Sequence, residues 1–394
     1  MKRIASCLAV QLLLATGLAR AQAPRAVIKI TGELHKLVLF ADGTVGGWGD
    51  MRDGQLGPRA TLPNYRGHMT AFAPIALPGK AIDIAAGSRT SYVLLENGKV
   101  LAFGFGMNGE LGRGEQGLAG SEVPLEVNGL AEVAQITAAG MTAYAIHKDG
   151  TVSAWGSRGS GMVADGVYNN RMGESTPAAQ VPVRIPNVSG IVQLSASSSH
   201  VLALTSTGKV LSWGSAGARL GRTLAEGVRV ALPEEIPGLD NVASVAATSV
   251  ASGALKKDGT VWVWGSNQQA EFGNGQREDN ERTWKPVRVP GVQNAKALAN
   301  GLIGRHFLAL LKDGTVRSWG NSDWGQAGNG LTGQEQATPA AAKISGVKAV
   351  FAGGNQSFAV KQDGSVWVWG SGDRREWPLS NNAPLPVALN FPAR

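Results

Sequence analysis

The chain has 394 residues, of which 43% are hydrophobic and 17% charged, and its formal net charge is +8. Its 54 glycines and 18 prolines exclude helical bundles and helical solenoids, which do not tolerate so many turn-forming positions. The high apolar and low charged content excludes intrinsic disorder. The length alone suggests two or three domains, but internal repeats indicate a single domain instead.

The first residues have the pattern of a secretory signal peptide. Lys2 and Arg3 precede an apolar run from Ile4 to Leu18, which small residues follow. We expect residues 1–21 to be removed, with cleavage after Ala21 preferred over Ala23. The run is short for a membrane-spanning helix, so no span is expected in the mature chain. The segment predicts Sec-type export to the periplasm of a bacterium or to its exterior.

Removal of this leader changes the chemistry available to the mature chain. Cys7 is the only cysteine and leaves with the leader, so the mature chain has no disulfide and no thiol ligand or nucleophile. Loss of Lys2, Arg3 and Arg20 lowers the net charge from +8 to +5. Such a mild bias, without a concentrated basic patch, predicts no nucleic-acid partner.

A short segment occurs seven times along the chain, and it decides the fold. It consists of a turn residue and Gly, one residue, Val, two residues, and Trp-Gly, with Phe103 in place of Trp in the second copy. The copies are residues 42–49, 97–104, 149–156, 207–214, 258–265, 313–320 and 363–370. Asp-Gly or Asn-Gly between two apolar runs is a strong hairpin signal. Each copy therefore contains a β-hairpin.

Two further strands complete each copy. A Pro-x-x-Val, Ile or Leu element follows the hairpin, as at Pro124 to Val127, and a last apolar stretch leads into the next copy. Four strands repeated seven times predict an all-β, seven-bladed propeller of four-stranded antiparallel blades over residues 24–394. Val27–Ile30 begins the chain and Pro386–Leu389 ends it, so we expect these two terminal strands to pair within one blade and close the ring.

Ser198–Gly214 and Gly104–Gly114 resemble the repeat of the regulator of chromosome condensation family. That repeat has Gly-x-x-His-Ser-x-Ala-Leu, Gly-x-Val, Trp-Gly-x-Asn and Gly-Gln-Leu-Gly elements, the last of which is absent from the third and seventh copies here. The resemblance implies a seven-bladed propeller but not one activity. The family includes a nuclear exchange factor for a small GTPase, and similar secreted bacterial propellers include a β-lactamase inhibitor that binds through loop aromatics.

The sequence offers no arrangement of residues typical of catalysis, metal binding or cofactor binding. Gly104, Gly106 and Gly109 spell a dinucleotide fingerprint, but no helix pattern follows to present amides to a pyrophosphate. His35, His200 and His306 share one repeat position, where packing and hydrogen bonding are expected, and no paired-His spacing occurs. We therefore predict no catalytic residue, no metal and no cofactor.

Partner-binding candidates come from the segments between Trp-Gly and the Pro-x-x-Val strand. These segments vary most in length, and variable loops on a rigid scaffold commonly build binding surfaces. Aromatic and arginine side chains are the usual anchors of such surfaces. The candidates are Trp284, Trp324, Trp377, Tyr168, Tyr65, Arg171, Arg282 and Arg375.

The functional hypothesis is a secreted or periplasmic, non-enzymatic and monomeric propeller that binds a protein partner through these loop residues. A propeller enzyme of the hydrolase or lyase type, with its site in the central channel, is the alternative. Guanine-nucleotide exchange is the third possibility and is disfavoured by the predicted leader, which separates the chain from cytosolic and nuclear GTPases.

Overall fold

A computed structural model describes residues 25–59, 64–65, 67–69, 71–114, 119–167, 177–215, 217–277, 282–301, 305–372 and 378–392. The predicted leader and both cleavage sites lie outside these ranges, so the leader stays a prediction. In the described part of the chain, no helix is long and apolar enough to cross a membrane.

The described chain forms seven four-stranded antiparallel sheets, each built from strands of one repeat. Blade 1 contains β1 (Val27–Thr31), β2 (His35–Phe40), β3 (Val45–Gly49) and β6 (Ala73–Ile75), with the small hairpin β4 (Asn64–Tyr65) and β5 (His68–Met69) between the last two. Blade 2 contains β7 (Ala81–Ala86), β8 (Thr90–Leu95), β9 (Val100–Phe105) and β10 (Gly120–Glu126). Blade 3 contains β11 (Val133–Ala139), β12 (Thr142–His147), β13 (Val152–Gly156) and β14 (Ala179–Arg184).

The remaining blades repeat this order. Blade 4 contains β15 (Ile191–Ala196), β16 (His200–Thr205), β17 (Val210–Ser215) and β18 (Val230–Glu235). Blade 5 contains β19 (Val242–Ala247), β20 (Ala251–Lys256), β21 (Val261–Ser266) and β22 (Arg282–Arg288). Blade 6 contains β23 (Ala295–Gly301), β24 (His306–Leu311), β25 (Val316–Gly320) and β26 (Gln336–Ala341). Blade 7 contains β27 (Val347–Gly353), β28 (Gln356–Lys361), β29 (Val366–Gly370) and β30 (Ala383–Leu389).

The first strand of every blade lies at the centre of the ring. Each of these strands contacts the first strand of the next blade, and β27 contacts β1 to complete the circle. Short 3₁₀ turns at Gly159–Gly161 and Ala218–Leu220 follow the third strands of blades 3 and 4. The predicted seven-bladed propeller of four-stranded antiparallel blades is confirmed.

A β-bulge interrupts the pairing near the start of each first strand. In β1, Val27 pairs with Phe40 and Lys29 with Leu39, so Ile28 is left without a partner. The same irregularity occurs in all seven first strands. Bulges redirect a side chain, and the unpaired residue of each first strand is exposed. These residues are Ile28, Ile82, Ala134, Val192, Ala243, Lys296 and Lys348.

The hairpin turns form as the Asp-Gly pattern predicts. In blade 5, Asp258 Oδ1 accepts hydrogen bonds from the backbone N–H of Thr260 at 2.9 Å and from its hydroxyl at 2.7 Å. Gly259 has a φ of +83°, and a Cβ there would lie 2.9 Å from Asn294 Cα. The turn thus needs glycine both for its left-handed backbone and for the close approach of the next connection.

The tryptophans of the repeat join neighbouring blades. In five of them the buried indole Nε1 donates a hydrogen bond to a main-chain oxygen in the blade before it, at distances from 2.7 to 3.1 Å. The pairs are Trp155 with Glu110, Trp213 with Met162, Trp264 with Arg219, Trp319 with Glu271, and Trp369 with Gln326. The tryptophans therefore combine apolar burial with a fixed polar link between blades.

The repeated histidines make a second link between blades, which confirms their predicted packing and hydrogen-bonding role. His200 Nε2 lies 2.7 Å from Ser252 Oγ, and that hydroxyl donates to Arg219 O at 2.7 Å. His35 with Ser91 and His306 with Ser357 repeat the contact at 2.9 Å. Burial lowers the pKa of both His35 and His200 to about 3, so both imidazoles are neutral.

The predicted pairing of the terminal strands is wrong. β1 belongs to blade 1 and β30 to blade 7, because every blade takes its four strands from one repeat and needs none from the other terminus. Blades 1 and 7 instead pack side by side through one apolar cluster. That cluster includes Val27, Ile30, Phe40, Trp48, Phe358, Val368 and Leu389, with Phe391 packed against it.

Deletion of residues 24–31 is expected to lower the melting temperature strongly. It removes β1, which takes Val27 and Ile30 from the cluster between blades 1 and 7 and leaves β2 as an exposed edge. Thermal unfolding followed by circular dichroism measures the effect. A truncated chain that melts within about 2 °C of the untruncated one would contradict this account of ring closure.

Substitution of Trp319 separates its packing from its hydrogen bond. Trp319→Ala is expected to lower the free energy of unfolding by about 3–5 kcal/mol. Trp319→Phe keeps most of the burial but leaves Glu271 O without the indole donor, so a smaller loss of about 1–3 kcal/mol is expected. Trp324→Ala is the control, because that side chain is 45% exposed and should change stability by less than about 0.5 kcal/mol. Equal losses for Trp319→Ala and Trp324→Ala in urea unfolding would contradict this division.

Candidate functional site

One face of the ring carries the bends between first and second strands and the beginnings of the long segments between third and fourth strands. We call it the loop face. The hairpin turns between second and third strands lie on the opposite face, which we call the turn face. Antiparallel strands fix this division, since successive connections alternate between the two ends of a sheet.

A repeated side-chain clamp holds the long segments of the loop face. A Gln or Glu accepts, through its side-chain oxygen, the backbone N–H of the residue two positions earlier, at 2.7 to 2.9 Å. The clamped residues and their acceptors are Asp53 with Gln55, Asn108 with Glu110, Gln269 with Glu271, and Trp324 with Gln326. The clamp fixes one displayed residue per segment, and that residue differs from blade to blade.

The clamping residue also joins the blades. In three blades, the main-chain oxygen of the clamping residue also accepts a hydrogen bond from a tryptophan indole of the next blade. These clamping residues are Glu110, Glu271 and Gln326. The displayed residues of the loop face are therefore held directly against the blade interfaces. Such a surface is preorganised, which favours tight and specific binding.

Charged pairs occupy the part of the loop face over blades 1 and 2. Arg89 donates two hydrogen bonds to the Asp53 carboxylate, at 2.6 and 2.5 Å, and its guanidinium carbon lies 4.1 Å from the ring centroid of Phe105. The hydrogen bonds raise the pKa of Arg89. Arg52 forms a second ion pair with Asp50. These fixed, partly exposed charges are suited to recognise complementary charges on a protein partner.

Two buried carboxyl groups on this face have strongly altered acidity. Burial raises the pKa of Glu33, in the bend after β1, to about 7. Burial likewise raises the pKa of Glu271 to about 7, and its Oε1 has no hydrogen-bond partner among the described residues. Burial also raises the pKa of the Glu110 carboxyl. Near neutral pH, Glu33 and Glu271 thus change between neutral and charged forms.

The structure separates the two tryptophans predicted to bind a partner. Trp324 is displayed on the loop face, 45% exposed. Trp284 lies not in a loop but on the outer strand β22, 40% exposed, in a groove of about 410 Å³ that Trp262 and Pro286 also line. They belong to different surfaces, so these two candidates do not form one site.

The structure does not describe the side chains of the other predicted residues. The structure gives only the main-chain course of Tyr65, in β4, and of Arg282, at the start of β22. Tyr168, Arg171, Arg375 and Trp377 lie outside the described residues. Sequence reasoning missed Asp53, Arg89 and the Gln or Glu clamps, although the repeated Gly-Gln-Leu-Gly element had marked the clamp positions.

Among the described residues there is no group of three His, Cys, Asp or Glu side chains that could hold a metal ion. Of the glycines of the dinucleotide-like pattern, Gly104 lies in β9 and Gly106 and Gly109 follow it, and residues 106–114 contain no helix. Lys29 and Asp83 form an ion pair in the described part of the central channel, with Lys29 Nζ 2.7 Å from Asp83 Oδ1. Asp83 also accepts the N–H of Ile84 and Ile136, so this pair links blades 1, 2 and 3.

Glu271→Gln is expected to remove a pH-dependent loss of stability. The folded pKa of about 7 lies above the ordinary 4.5, so ionisation destabilises the folded chain progressively from pH 4.5 to 7 and fully above 7. At pH 8 the variant should be more stable by up to about 3 kcal/mol, and at pH 4 close to wild type. Urea unfolding at both pH values measures this. The same difference between the proteins at both pH values would contradict it.

The comparisons with known proteins agree with the fold. The chain is 29% identical over 312 residues to the mitochondrial RCC1 domain-containing protein RUG3 of Arabidopsis thaliana, covering 75% of this chain and 67% of RUG3. It is 28% identical over 280 residues to the guanine nucleotide exchange factor SRM1 of Saccharomyces cerevisiae, covering 66% of this chain and 57% of SRM1. The chain thus spans about two thirds or less of the length of these relatives.

Among solved structures, that of Prp20p from Saccharomyces cerevisiae matches with a TM-score of 0.74 and 24% identity. The match covers 93% of this chain and 88% of Prp20p, and it supports the propeller fold. Prp20p was described together with its binding properties to Gsp1p and histones.

The relatives correct the functional hypothesis. A secreted, non-enzymatic binding propeller was preferred and nucleotide exchange placed last, but the relatives include a named exchange factor, SRM1. The preference was wrong because it gave the predicted leader more weight than the repeats, which run from residue 42 to residue 370. The RCC1-like domain matches residues 74–390, so this chain belongs to the RCC1-like domain family.

Proposed function

We propose that this propeller is a nucleotide-exchange-factor-type protein, which binds a small GTP-binding protein on its loop face and speeds release of the bound guanine nucleotide. The similarity to SRM1, 28% identical over 280 residues, is the observation that carries the proposal. The binding of Prp20p to Gsp1p suggests the class of partner.

Nucleotide exchange needs no catalytic side chain, because a rigid surface is able to promote it by binding alone. A protein that binds the nucleotide-free form of its partner more tightly than the nucleotide-bound form lowers the partner's affinity for nucleotide by the same factor. The clamped residues of the loop face supply such a surface, because Asp53 and Trp324 are held by Gln55 and Gln326 before any partner arrives. The predicted leader remains a separate proposal about the compartment in which the chain meets its partner.

The test uses Gsp1p loaded with a fluorescent GDP analogue, with Prp20p as the positive control. Addition of the chain is expected to accelerate release of the analogue by at least about tenfold over the intrinsic rate. Trp324→Ala is expected to lower this acceleration about tenfold, since exposed aromatic anchors commonly dominate a protein interface. Trp284→Ala, at a tryptophan of similar exposure on an outer strand, is the matched control and should leave the rate unchanged.

Two results would contradict the proposal. A folded chain that leaves the release rate at its intrinsic value would overturn exchange activity. Equal losses for Trp324→Ala and Trp284→Ala, with unchanged melting temperatures, would show that the loop face is not where the GTP-binding protein docks.

A further inference from the structure

The central channel opens on the turn face, opposite to the face proposed to bind the GTP-binding protein. We call this opening the turn-face mouth. The bulge in each first strand lies just after the connection from the preceding blade, so the seven bulged residues surround the central channel at this end. All seven are exposed. A bulge repeated in every blade thus aims one side chain per blade at the same opening.

One side of this mouth is apolar. Ile28, Ile82 and Val192, the bulged residues of blades 1, 2 and 4, are 54%, 52% and 52% exposed. Ile82 and Val192 border a depression of about 650 Å³, whose wall also includes Ala134 and the charged residues Asp83, Lys148 and Asp149. Large aliphatic side chains gathered around a concave opening mark a binding surface more often than single exposed ones do.

The other side of the mouth is basic. The bulged residues of blades 6 and 7 are Lys296 and Lys348, both exposed, and neither has a carboxylate within salt-bridge distance among the described residues. Lys257 and Lys312, in the hairpin turns of blades 5 and 6, are exposed beside them.

Backbone hydrogen bonds hold this basic arc together. Ala295 N donates to Gly259 O at 3.0 Å, which places Lys296 next to the turn that carries Lys257. Lys312 N donates to Asn294 O at 2.9 Å, and Val347, next to Lys348, donates to Gly314 O at 3.0 Å. The four lysines therefore belong to one continuous hydrogen-bonded rim rather than to separate loops.

Acidic groups on this rim offset only part of its charge. The second-strand ends, hairpin turns and bulged positions of blades 5 to 7 carry six lysines and three aspartates, namely Lys256, Lys257, Lys296, Lys312, Lys348 and Lys361 against Asp258, Asp313 and Asp363. Of these lysines, Lys256 and Lys361 lie over the rings of Trp262 and Trp367. Each aspartate accepts hydrogen bonds from the residue two positions on, which lowers its pKa and keeps it charged. An excess of positive charge remains on the basic side.

We propose that the turn-face mouth binds an extended segment of a protein partner in which carboxylates alternate with aliphatic side chains. The aliphatic side chains would enter the depression beside Ile82 and Val192, and the carboxylates would face Lys296 and Lys348 across the opening. This site lies on the face opposite to the proposed GTPase-binding face and does not depend on it.

The shape and chemistry of the mouth favour a protein segment over other polyanions. Lys296, Lys348 and the aliphatic residues lie on the innermost strands, and Lys257 and Lys312 lie in the hairpin turns beside them. A nucleic-acid duplex has no aliphatic side chains to contact Ile82 and Val192, and a bilayer presents its headgroups outward with its acyl chains beneath them. Charge and apolar complementarity together therefore specify an acidic, aliphatic peptide.

The test measures fluorescence anisotropy of a labelled peptide of about twelve residues in which glutamate alternates with leucine. The full chain is expected to bind this peptide, and Lys296→Glu/Lys348→Glu is expected to weaken binding at least about tenfold. Ile82→Ser/Val192→Ser should weaken it about fivefold by removing the apolar contacts. Lys285→Glu/Arg229→Glu, which makes the same charge change at exposed positions away from the mouth, should stay within about twofold of wild type.

Competition experiments decide the occupant. Equal affinity of wild type and Lys296→Glu/Lys348→Glu, with matching melting curves, would overturn the site. Tighter binding of a DNA duplex or of vesicles containing phosphatidylserine than of the peptide would overturn the assignment of a protein segment. Nucleotide exchange by Lys296→Glu/Lys348→Glu should equal that of wild type, so failure of one proposal leaves the other testable.

Discussion

The ring depends on one kind of contact, a main-chain carbonyl in the long segment of one blade that accepts a hydrogen bond from the next blade. In five interfaces the donor is a tryptophan indole, for example Trp319 on Glu271 O. Blade 2 has Phe103, which has no donor, and there Ser91 Oγ donates to Gln55 O at 2.6 Å. The contact is kept although its donor changes, because a buried carbonyl without a partner is destabilising.

The same contact explains why the loop face is preorganised. The residue whose carbonyl joins the blades also clamps, with its side chain, the backbone of a displayed residue. At Gln326 the carbonyl binds Trp369 and Ser357, while Oε1 holds the N–H of Trp324. Movement of the displayed residue would therefore disturb a blade interface. The displayed side chain makes none of the hydrogen bonds to that carbonyl, so it is able to differ between blades while the contact is kept.

The sequence was sufficient to predict the fold because the ring contacts recur in register with the chain. Turn aspartates, Trp-Gly and the repeated histidines each take a single structural position, so their spacing reveals seven blades. The third copy shows the limit of such reasoning: it lacks Gly-Gln-Leu-Gly, yet Met162 O accepts both Trp213 and Tyr144. A carbonyl is common to all residues, so this role leaves no mark in the sequence.

The site was harder to predict for related reasons. Trp284 and Trp324 both come from segments between Trp-Gly and the fourth strand, but at different places in them. Trp324 follows Trp319 by five residues and stays on the loop face, whereas Trp284 comes two residues before Pro286 and lies in the fourth strand β22. The error in ring closure had a different origin, since one blade was expected to combine strands from both ends of the chain, whereas each blade takes its four strands from one repeat. The bulges depend on strand register, which apolar patterning alone does not reveal.

The two faces of the ring obey different constraints, and this difference bears on how such a protein acquires binding surfaces. On the loop face each displayed residue is tied to a blade interface, so its backbone position is fixed and only its side chain is free to differ. On the turn face each bulged residue is unpaired in its sheet, and Ile28, Ala134 and Lys348 fill equivalent places. The bulged residues are exposed, whereas Asp53 on the loop face also pairs with Arg89 of blade 2. Because stability resides in the carbonyl contacts and tryptophans between these ends, each face is able to change its chemistry without changing the fold or the other face.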